Sequence, residues 1–317
     1  MTDRDTRIDN AKGLLIILVV LGHLVWPVPT GHRVADGLYF FVYFFHMPMF
    51  ALISGYLSRD ETGWAALVKN GRLLLAPYVV FFALHALILR LMGEPPYPFL
   101  EGLYGLWYLL SLFCWRMLLP YVRRIPFALP ATILLALAAG FVPFLGLQLS
   151  LSRTLVLLPF FLAGHLMREK GTSPTAVFSP VAGVSMVAAG VVLSAFLSGY
   201  AFQAMFYGNG PYAALGPGVA VGFVARVAQL GIAFGLGLGA LALVPSGQTP
   251  LTRVGRHSLH VYLLHTLLLV AYRLWPAGYG PLGSSVCLMV PVAVVLAWLL
   301  ASPWVVKATR RLVSPLG

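Results

Sequence analysis

The stretch Arg7-Ile-Asp-Asn-Ala-Lys12-Gly13-Leu-Leu-Ile-Ile-Leu-Val-Val-Leu-Gly22-His23 decides the fold class of this chain. It begins with charged residues, continues into an apolar run and ends on an imidazole. Lys12 and His23 are eleven residues apart, close to three helical turns. Both therefore project from one face of a helix, about 16 Å apart along its axis. Because an ionisable side chain deep in an apolar helix is costly, we interpret His23 as a functional residue.

The composition indicates an integral membrane protein. The 317 residues are 60% hydrophobic and 9% charged, with a mean hydropathy of +0.88, whereas a soluble domain carries about 25% charged residues. The apolar runs have the length of helices, which favours an all-α transmembrane bundle over a barrel. We expect one transmembrane domain over residues 1–317, with about ten spans near 11–28, 37–57, 72–92, 103–120, 127–144, 153–168, 178–198, 218–243, 257–275 and 284–305.

The distribution of basic residues predicts the orientation. With a cytoplasmic N-terminus and alternating spans, sixteen of the 21 Lys and Arg residues fall on the cytoplasmic side. The exceptions are Arg33, Arg90, Arg153, Arg226 and Arg273. This bias places both termini in the cytoplasm and predicts a multi-pass protein of the cell's inner membrane. We attribute the net charge of +12 to this bias and to attraction to anionic membrane lipid. We expect no nucleic-acid partner, because no segment is long enough to form a basic groove outside the membrane.

Two further histidines lie inside apolar runs at depths similar to that of His23. His46 precedes Pro48 in the second predicted span, and His265 lies half way along the ninth. Any one of them could be a buried imidazole whose proton is bound by a carbonyl of a neighbouring helix. Three at core depth favour a shared polar cavity, in which His46 is a second base or acceptor contact and His265 braces it. We interpret His260, nearer the surface, as structural.

Basic residues cluster at the predicted cytoplasmic surface. Lys69 and Arg72 are three residues apart and would share a helix face. Together with Arg7 and Lys12 they could hold a polyphosphate, although ordinary topological anchoring is the alternative for an isolated pair. Asp9 lies in the first turn of its helix, where the dipole favours a carboxylate. We expect it to pair with Arg7, Lys12 or Lys69.

Several other features of the sequence support less specific predictions. Trp107 and Tyr108 begin the fourth predicted span and are typical of an interfacial aromatic belt or of a sugar-stacking site. The uncharged, Gly- and Tyr-rich stretch near residues 199–217 is either a binding loop or a connector. Cys114 and Cys287 both lie in apolar segments, so we expect neither a disulfide scaffold nor a metal site.

These motifs resemble those of the acyltransferase 3 family. The first stretch is similar to the family's Arg/Lys-x10-His element, filled here by Lys12 and His23, and Lys69-x-x-Arg72 is similar to its Arg-x-x-Arg element. The local sequence of these motifs is most similar to that of the fucose 4-O-acetylase-like branch. The resemblance covers most of the chain and includes Phe45-His46-Met47-Pro48, Ser54-Gly55-Tyr56, Pro77-Tyr78, Leu106-Trp107-Tyr108-Leu109, Phe160-Phe161-Leu162-Ala163-Gly164 and Tyr262-Leu263-Leu264-His265.

The resemblance implies an integral membrane enzyme that moves an acyl group, usually acetyl, from cytoplasmic acetyl-CoA to a hydroxyl of a carbohydrate or lipid-linked sugar on the outer side. His23 would act as the base or would carry the acyl group. The remaining expected roles are catalysis with His23 for His46, donor binding for Arg7, Lys12, Lys69 and Arg72, and acceptor-side or structural support for His265, Trp107, Tyr108 and Asp9.

The rival interpretation is a proton-coupled transporter or flippase. It would use the same intramembrane histidines as a proton relay. The sequence shows no internal repeat of the kind that marks many transporters, which favours the enzyme. A lipid-binding structural membrane protein is a third possibility, and it leaves the histidines unexplained.

Overall fold

The chain is an all-α protein. A computed structural model describes residues 5–25, 32–101, 103–145, 150–198, 206, 208, 210–214, 218–273 and 286–316, and these contain helices and no strand. The helices are α1 Thr6–Val25, α2 Arg33–Leu57, α3 Gly63–Asn70, α4 Ala76–Leu91, α5 Trp107–Val122, α6 Ala128–Ala138, α7 Leu151–Glu169, α8 Pro180–Leu197, α9 Val219–Ala242, α10 Pro250–Arg256, α11 Ser258–Arg273, α12 Val286–Leu300 and α13 Pro303–Val313. A π-helical turn, Gly71–Leu75, joins α3 to α4. The predicted fold class is confirmed.

Several helices are long and apolar enough to cross a membrane. In the described part of the chain there are five: α1, α2, the continuous Gly63–Leu91, α8 and α9. A sixth results if α12 and α13, which meet at 73°, form one bent span. Large apolar side chains face outward, among them Val181 at 78% exposure and Phe127 at 84%, as expected where lipid replaces water. The count of ten spans and the cytoplasmic termini remain predictions.

The helices form two compact units. The first unit contains residues 1–50, 173–201 and 232–310, and the second contains residues 51–172, 202–231 and 311–317. Both α2 and α9 continue from one unit into the other. The single domain over 1–317 remains a prediction.

In the first unit, α1 and α10 lie in backbone contact. A Cβ atom added to Gly13 would lie 2.3 Å from the carbonyl oxygen of Leu251, and one added to Gly255 would clash with the carbonyl of Asp9. Glycine is required at both positions because any side chain would push the two helices apart. Asp5 precedes α1 and caps it, because its Oδ1 accepts hydrogen bonds from the backbone N–H groups of Arg7 and Ile8.

The side-chain amide of Asn10 stabilises this contact through hydrogen bonds. The side chain is fully buried, and its Nδ2 donates to the carbonyls of Pro245 and Gly247 at 2.9 and 2.7 Å. Its Oδ1 accepts hydrogen bonds from the hydroxyls of Thr249 and Thr252 at 3.0 and 2.5 Å. The chain before α10 is therefore held to α1 by side-chain hydrogen bonds as well as by close packing.

The second unit contains a similar contact between the end of α2 and α7. A Cβ atom on Gly55 would clash with the carbonyl of Phe161, and one on Gly164 would clash with the carbonyl of Leu52. Small residues at both positions let the two backbones touch, which is the usual basis of tight packing between membrane helices.

Candidate functional site

The centre of the first unit is a pair of imidazoles from α1 and α11. Nδ1 of His23 lies 2.9 Å from Nε2 of His265, and the two rings are stacked with centroids 5.1 Å apart. Nδ1 of His265, which is completely buried, lies 2.8 Å from the carbonyl oxygen of Val261. The sequence placed these two histidines at similar depths, and the structure brings them into direct contact.

The hydrogen bonds define which nitrogen carries a proton in the neutral pair. A carbonyl only accepts, so Nδ1 of His265 must donate to Val261, and Nε2 of the same ring must accept. Nδ1 of His23 is therefore the donor to His265, and the lone pair of His23 lies on Nε2. A base oriented by a second group, which is itself oriented by a third, is the arrangement that activates nucleophiles in acyl-transfer enzymes.

His46 lies in the same unit, in the middle of α2. It is buried, and its Nδ1 donates to the carbonyl of Val42, one turn earlier, at 2.7 Å. Its ring meets the edge of Tyr43, with centroids 4.9 Å apart. A Cβ atom on Gly22 would lie 3.1 Å from that tyrosine ring, so Tyr43 contacts both His46 and the residue before His23. The predicted catalytic role of His46 remains a prediction.

Asp9 is buried between two cations. Its carboxylate lies 3.4 Å from Nζ of Lys12 and 3.4 Å from Nε of Arg256. The sequence predicted Lys12 as one possible partner. It missed Arg256, because this residue reaches Asp9 only through the close approach of α10 to α1.

Arg7 fastens α1 to the end of α9. Its Nη2 donates to the carbonyl of Ala242 at 2.9 Å and its Nε to that of Val244 at 3.1 Å. These carbonyls lie at the C-terminus of α9, where the helix itself supplies no donor and a cation is favoured. Arg7 therefore has a structural role that the sequence did not indicate, while its expected contact with donor phosphates remains a prediction.

The end of the first unit that carries Lys12 is rich in basic side chains. Arg253 stacks on Trp298 at 4.1 Å, and neither its Nε nor its Nη2 has a hydrogen-bond partner within the described residues. Nε2 of His260 is likewise buried without a partner there. We call Lys12, Arg253, Arg256, His257 and His260 the basic end. The sequence predicted donor binding for Lys12 and a structural role for His260. The closeness of the four basic residues within 253–260 is a signal that the sequence offers.

Lys69 and Arg72 belong to the second unit. Lys69 lies in the last turn of α3 and donates to both carboxylate oxygens of Glu61, at 2.7 and 2.9 Å. These hydrogen bonds, with nearby positive charge, hold the pKa of Glu61 below its ordinary value. Arg72 is exposed in the π-helical turn, a feature that occurs often at functional sites. The phosphate site expected from Arg7, Lys12, Lys69 and Arg72 together remains a prediction.

Trp107 and Tyr108 begin α5 in the second unit, and both are buried. The guanidinium of Arg153 lies 4.9 Å from the centre of the Trp107 ring. The hydroxyl of Tyr108 is 2.8 Å from the hydroxyl of Ser54. Both aromatic side chains thus have polar partners inside the protein. Neither contact tests the sugar-stacking role.

The described residues contain no group of three or more His, Cys, Asp or Glu side chains that could hold a metal ion.

Comparison with known proteins identifies the family. The family model described as an acyltransferase domain, acyltransferase 3, matches residues 5–302. A stretch of 61 residues, 18% of the chain, is 49% identical to nodulation protein NolL of Sinorhizobium fredii, and 59 residues are 49% identical to the NolL protein of Mesorhizobium japonicum. Each match spans 16% of the relative, and no solved structure matches. The chain is therefore a membrane protein that belongs to the acyltransferase 3 family.

Proposed function

We propose that the protein is an O-acyltransferase of the cell's inner membrane. It moves an acetyl group from cytoplasmic acetyl-CoA to a hydroxyl of a carbohydrate or lipid-linked sugar on the outer side. The observation that carries this proposal is the hydrogen-bonded pair of His23 and His265, inside a unit made of apolar helices. Membership of an acyltransferase family supports the reaction class. The fucose 4-O-acetylase-like branch is part of the proposal.

The pair supplies a base of defined geometry. The lone pair on Nε2 of His23 accepts the proton of the acceptor hydroxyl, and the hydroxyl oxygen attacks the thioester carbonyl. The carbon–sulfur bond then breaks, and the CoA thiolate takes the proton from His23. In the alternative pathway, Nε2 attacks the thioester itself and the carbon–sulfur bond breaks to release CoA thiolate. The acylated imidazole then passes the acyl group to the hydroxyl, whose proton goes to the CoA thiolate. Both reaction pathways need His23 in the tautomer that its hydrogen bond to His265 favours.

The basic end supports the use of an anionic donor. Lys12 is three helical turns from His23 on the same helix, about 16 Å along the axis, a distance that an extended pantetheine arm can cover. In this proposal the guanidinium groups of Arg253 and Arg256 join Lys12 in binding the CoA phosphates, because Arg matches phosphate geometry with paired N–H donors. Donor binding by Lys69 and Arg72 is also part of the proposal.

Replacing His23 by Ala tests the reaction. The measurement is acetyl-CoA turnover by the purified full-length protein, with thiol release as the readout. We expect turnover to fall about 100-fold to 10000-fold, the usual contribution of a general base, while binding of CoA and thermal stability stay close to those of the unmodified protein. His32→Ala is the matched control, because His32 is exposed and should leave turnover unchanged.

Turnover by His23→Ala close to that of the unmodified protein contradicts the proposal. A protein with no acetyl-CoA turnover that instead acidifies liposomes in a His23-dependent manner supports the transporter alternative. Incubation with radiolabelled acetyl-CoA, followed by denaturation, separates the two chemical sequences. Label retained on unmodified protein and absent from His23→Ala identifies the acyl carrier.

A further inference from the structure

The second unit contains an arginine whose charge is buried without a compensating group. Arg226 lies in the apolar helix α9 and is 2% exposed. Within the described residues its Nη1 and Nη2 have no hydrogen-bond partner, and it forms no ion pair. The carboxylates of this unit that do form ion pairs, Asp60, Glu61 and Glu169, contact Lys69, Arg123 and His165. Since an uncompensated buried charge is strongly destabilising, an anionic ligand would stabilise this guanidinium.

The aromatic ring of Tyr212 packs against Arg226. Its Cζ lies 5.7 Å from the centre of the Tyr212 ring, within the range of a cation–π contact. Tyr212 is fully buried, and its hydroxyl donates to the carbonyl of Leu137 at 2.7 Å. Only glycine fits beside this ring, since a Cβ atom on Gly140 or on Gly222 would clash with Tyr212. A ring face attracts a cation but gives the in-plane N–H groups no acceptor, so those donors remain available.

Gln229 presents the complementary group one turn later on α9. It is 6% exposed, its Nε2 donates to the carbonyl of Phe206 at 3.2 Å, and its Oε1 has no partner within the described residues. Residues three apart share a helix face, with Cβ atoms about 5–6 Å apart. The same face therefore presents guanidinium donors beside an amide oxygen that accepts a hydrogen bond.

Residues of the predicted loop near 199–217 lie over this face. Phe206 is held by Gln229, Gly208 accepts a hydrogen bond from the hydroxyl of Ser152 at 2.8 Å, and Tyr212 packs against Arg226. The described part of this stretch is therefore fixed to the second unit by three separate contacts. This favours a binding segment over a mere connector.

We propose that Arg226 and Gln229 form a binding site for an acidic carbohydrate, and that this carbohydrate is the acyl acceptor. A carboxylate or phosphate oxygen would accept the paired N–H groups of Arg226, and a neighbouring sugar hydroxyl would donate to Oε1 of Gln229. A neutral sugar leaves the guanidinium uncompensated, and a simple anion leaves the amide oxygen uncompensated. The acceptor role rests on the proposed function, whereas the binding site does not.

Thermal stabilisation of the purified full-length protein tests the site. The probes are glucuronate and glucose 1-phosphate, compared with glucose and with sodium acetate at equal ionic strength. We expect a saturable rise in melting temperature with at least one acidic sugar and little with glucose or acetate. Arg226→Gln should weaken half-saturation about tenfold or more, the usual cost of losing a charge-assisted pair of hydrogen bonds. The matched control is Arg90→Gln, which removes the same charge from an exposed position in the same unit and should bind as the unmodified protein does.

The unliganded variants separate a binding role from a structural one. Removing an uncompensated buried charge should leave the melting temperature of Arg226→Gln equal to or above that of the unmodified protein, because binding residues commonly cost stability. A large drop would assign Arg226 to the fold and overturn the proposal. Gln229→Leu keeps the charge and should weaken acidic-sugar binding less than Arg226→Gln does.

Three other outcomes overturn the proposal. These are equal stabilisation by glucose and glucuronate, equal losses in Arg226→Gln and Arg90→Gln, and an Arg226-dependent stabilisation by phosphatidylglycerol that no acidic sugar reproduces. The last would identify a lipid headgroup as the anion. Binding by His23→Ala distinguishes this proposal from the function of the protein. Retained acidic-sugar binding in a protein without acetyl-CoA turnover supports the site even if the enzymatic proposal fails.

Discussion

The His23–His265 pair and Arg226 both place polar groups among apolar helices, where His265 and Arg226 are buried and His23 is partly buried, and their hydrogen bonding differs completely. In the pair, Nδ1 of His23 contacts His265 and Nδ1 of His265 contacts the carbonyl of Val261. The guanidinium of Arg226 has two nitrogens without a partner in the described part of the chain. The pair is complete without a ligand, as a preorganised catalytic group should be. Arg226 has the properties expected of a site whose partner arrives from outside.

Removing His265 from the His23–His265 pair should have the largest effect on activity of the changes considered. His265→Leu removes the acceptor of the His23 proton, leaves a partly buried N–H group unsatisfied and allows His23 to adopt its other tautomer. We expect turnover of acetyl-CoA to fall about 100-fold or more, by analogy with triads whose orienting group is lost, with KM for acetyl-CoA changed much less than kcat. The measurement is steady-state kinetics across a range of acetyl-CoA concentrations.

The variant His265→Gln is the matched control, because its amide oxygen can accept the same hydrogen bond from His23. It should recover a large part of the activity that His265→Leu loses. Equal activities of the Gln and Leu variants would show that His265 fills space and does not set the tautomer of His23.

Removing the charge of Asp9 with Asp9→Asn leaves Lys12 and Arg256 without their shared carboxylate, but at positions that are more exposed than Arg226. Because the side chains of Lys12 and Arg256 are 18% and 40% exposed, water compensates part of the loss, and we expect a decrease of about 1 kcal/mol in the free energy of unfolding and a raised KM for acetyl-CoA. At saturating donor, kcat should change by less than about threefold.

The measurements for Asp9→Asn are thermal denaturation in detergent and steady-state kinetics. Glu94→Gln serves as control, because this carboxylate is exposed and its loss should leave both quantities unchanged. A kcat defect at saturating donor in a stable protein would contradict the assignment of Asp9 to structure and donor binding.

The ion pair of Glu61 with Lys69 is more exposed than the other groups, and we expect its loss to have the smallest effect on stability. This ion pair has a shorter distance than the contacts of Asp9, but the Lys69 side chain is 56% exposed. Because water screens such a pair, Glu61→Gln should shift the melting temperature by about 1 °C or less. The pKa of Glu61 is lowered by its hydrogen bonds from Lys69, so the small stabilisation is present at neutral pH. It is lost as the pH falls through that lowered pKa.

Melting curves of the unmodified protein and Glu61→Gln, recorded from neutral to acidic pH, check this expectation. The two curves should converge at acidic pH. A shift of many degrees in melting temperature at neutral pH would show that the ion pair of Lys69 and Glu61 stabilises the fold more than its exposure indicates.

The depth of a residue in a membrane helix was predictable from the sequence, and its partner was not. Counting residues from the ends of apolar runs placed His23 and His265 at similar levels. Their direct contact depends on the rotation of α1 and α11 about their axes. Gly13 and Gly255 bring α1 against α10, the helix that precedes α11, and these segments are more than 230 residues apart. The orientation of each imidazole, and hence the chemistry of Nε2, follows from backbone carbonyls that no residue pattern reveals.

Arg226 shows a signal that is present in the sequence. It appeared only as an exception to the charge bias of the loops, although it stands within the apolar stretch Val219–Ala242 together with Gln229. An ionisable residue inside a membrane helix indicates a functional site by default. The buried state of Arg226, and the absence of a carboxylate beside it among the described residues, required the structure.

The contact between α1 and α10 has a consequence for the construction of hybrid enzymes. Because Gly13 and Gly255 bring two backbones together, the segment 5–25 and the segment 245–273 form one matched piece that holds His23 against His265. Errors of about 1 Å in the placement of reacting groups can cost a hundredfold in rate. Chimeras between relatives should therefore exchange these two segments jointly, and a hybrid that takes only one should be inactive even when it is well folded.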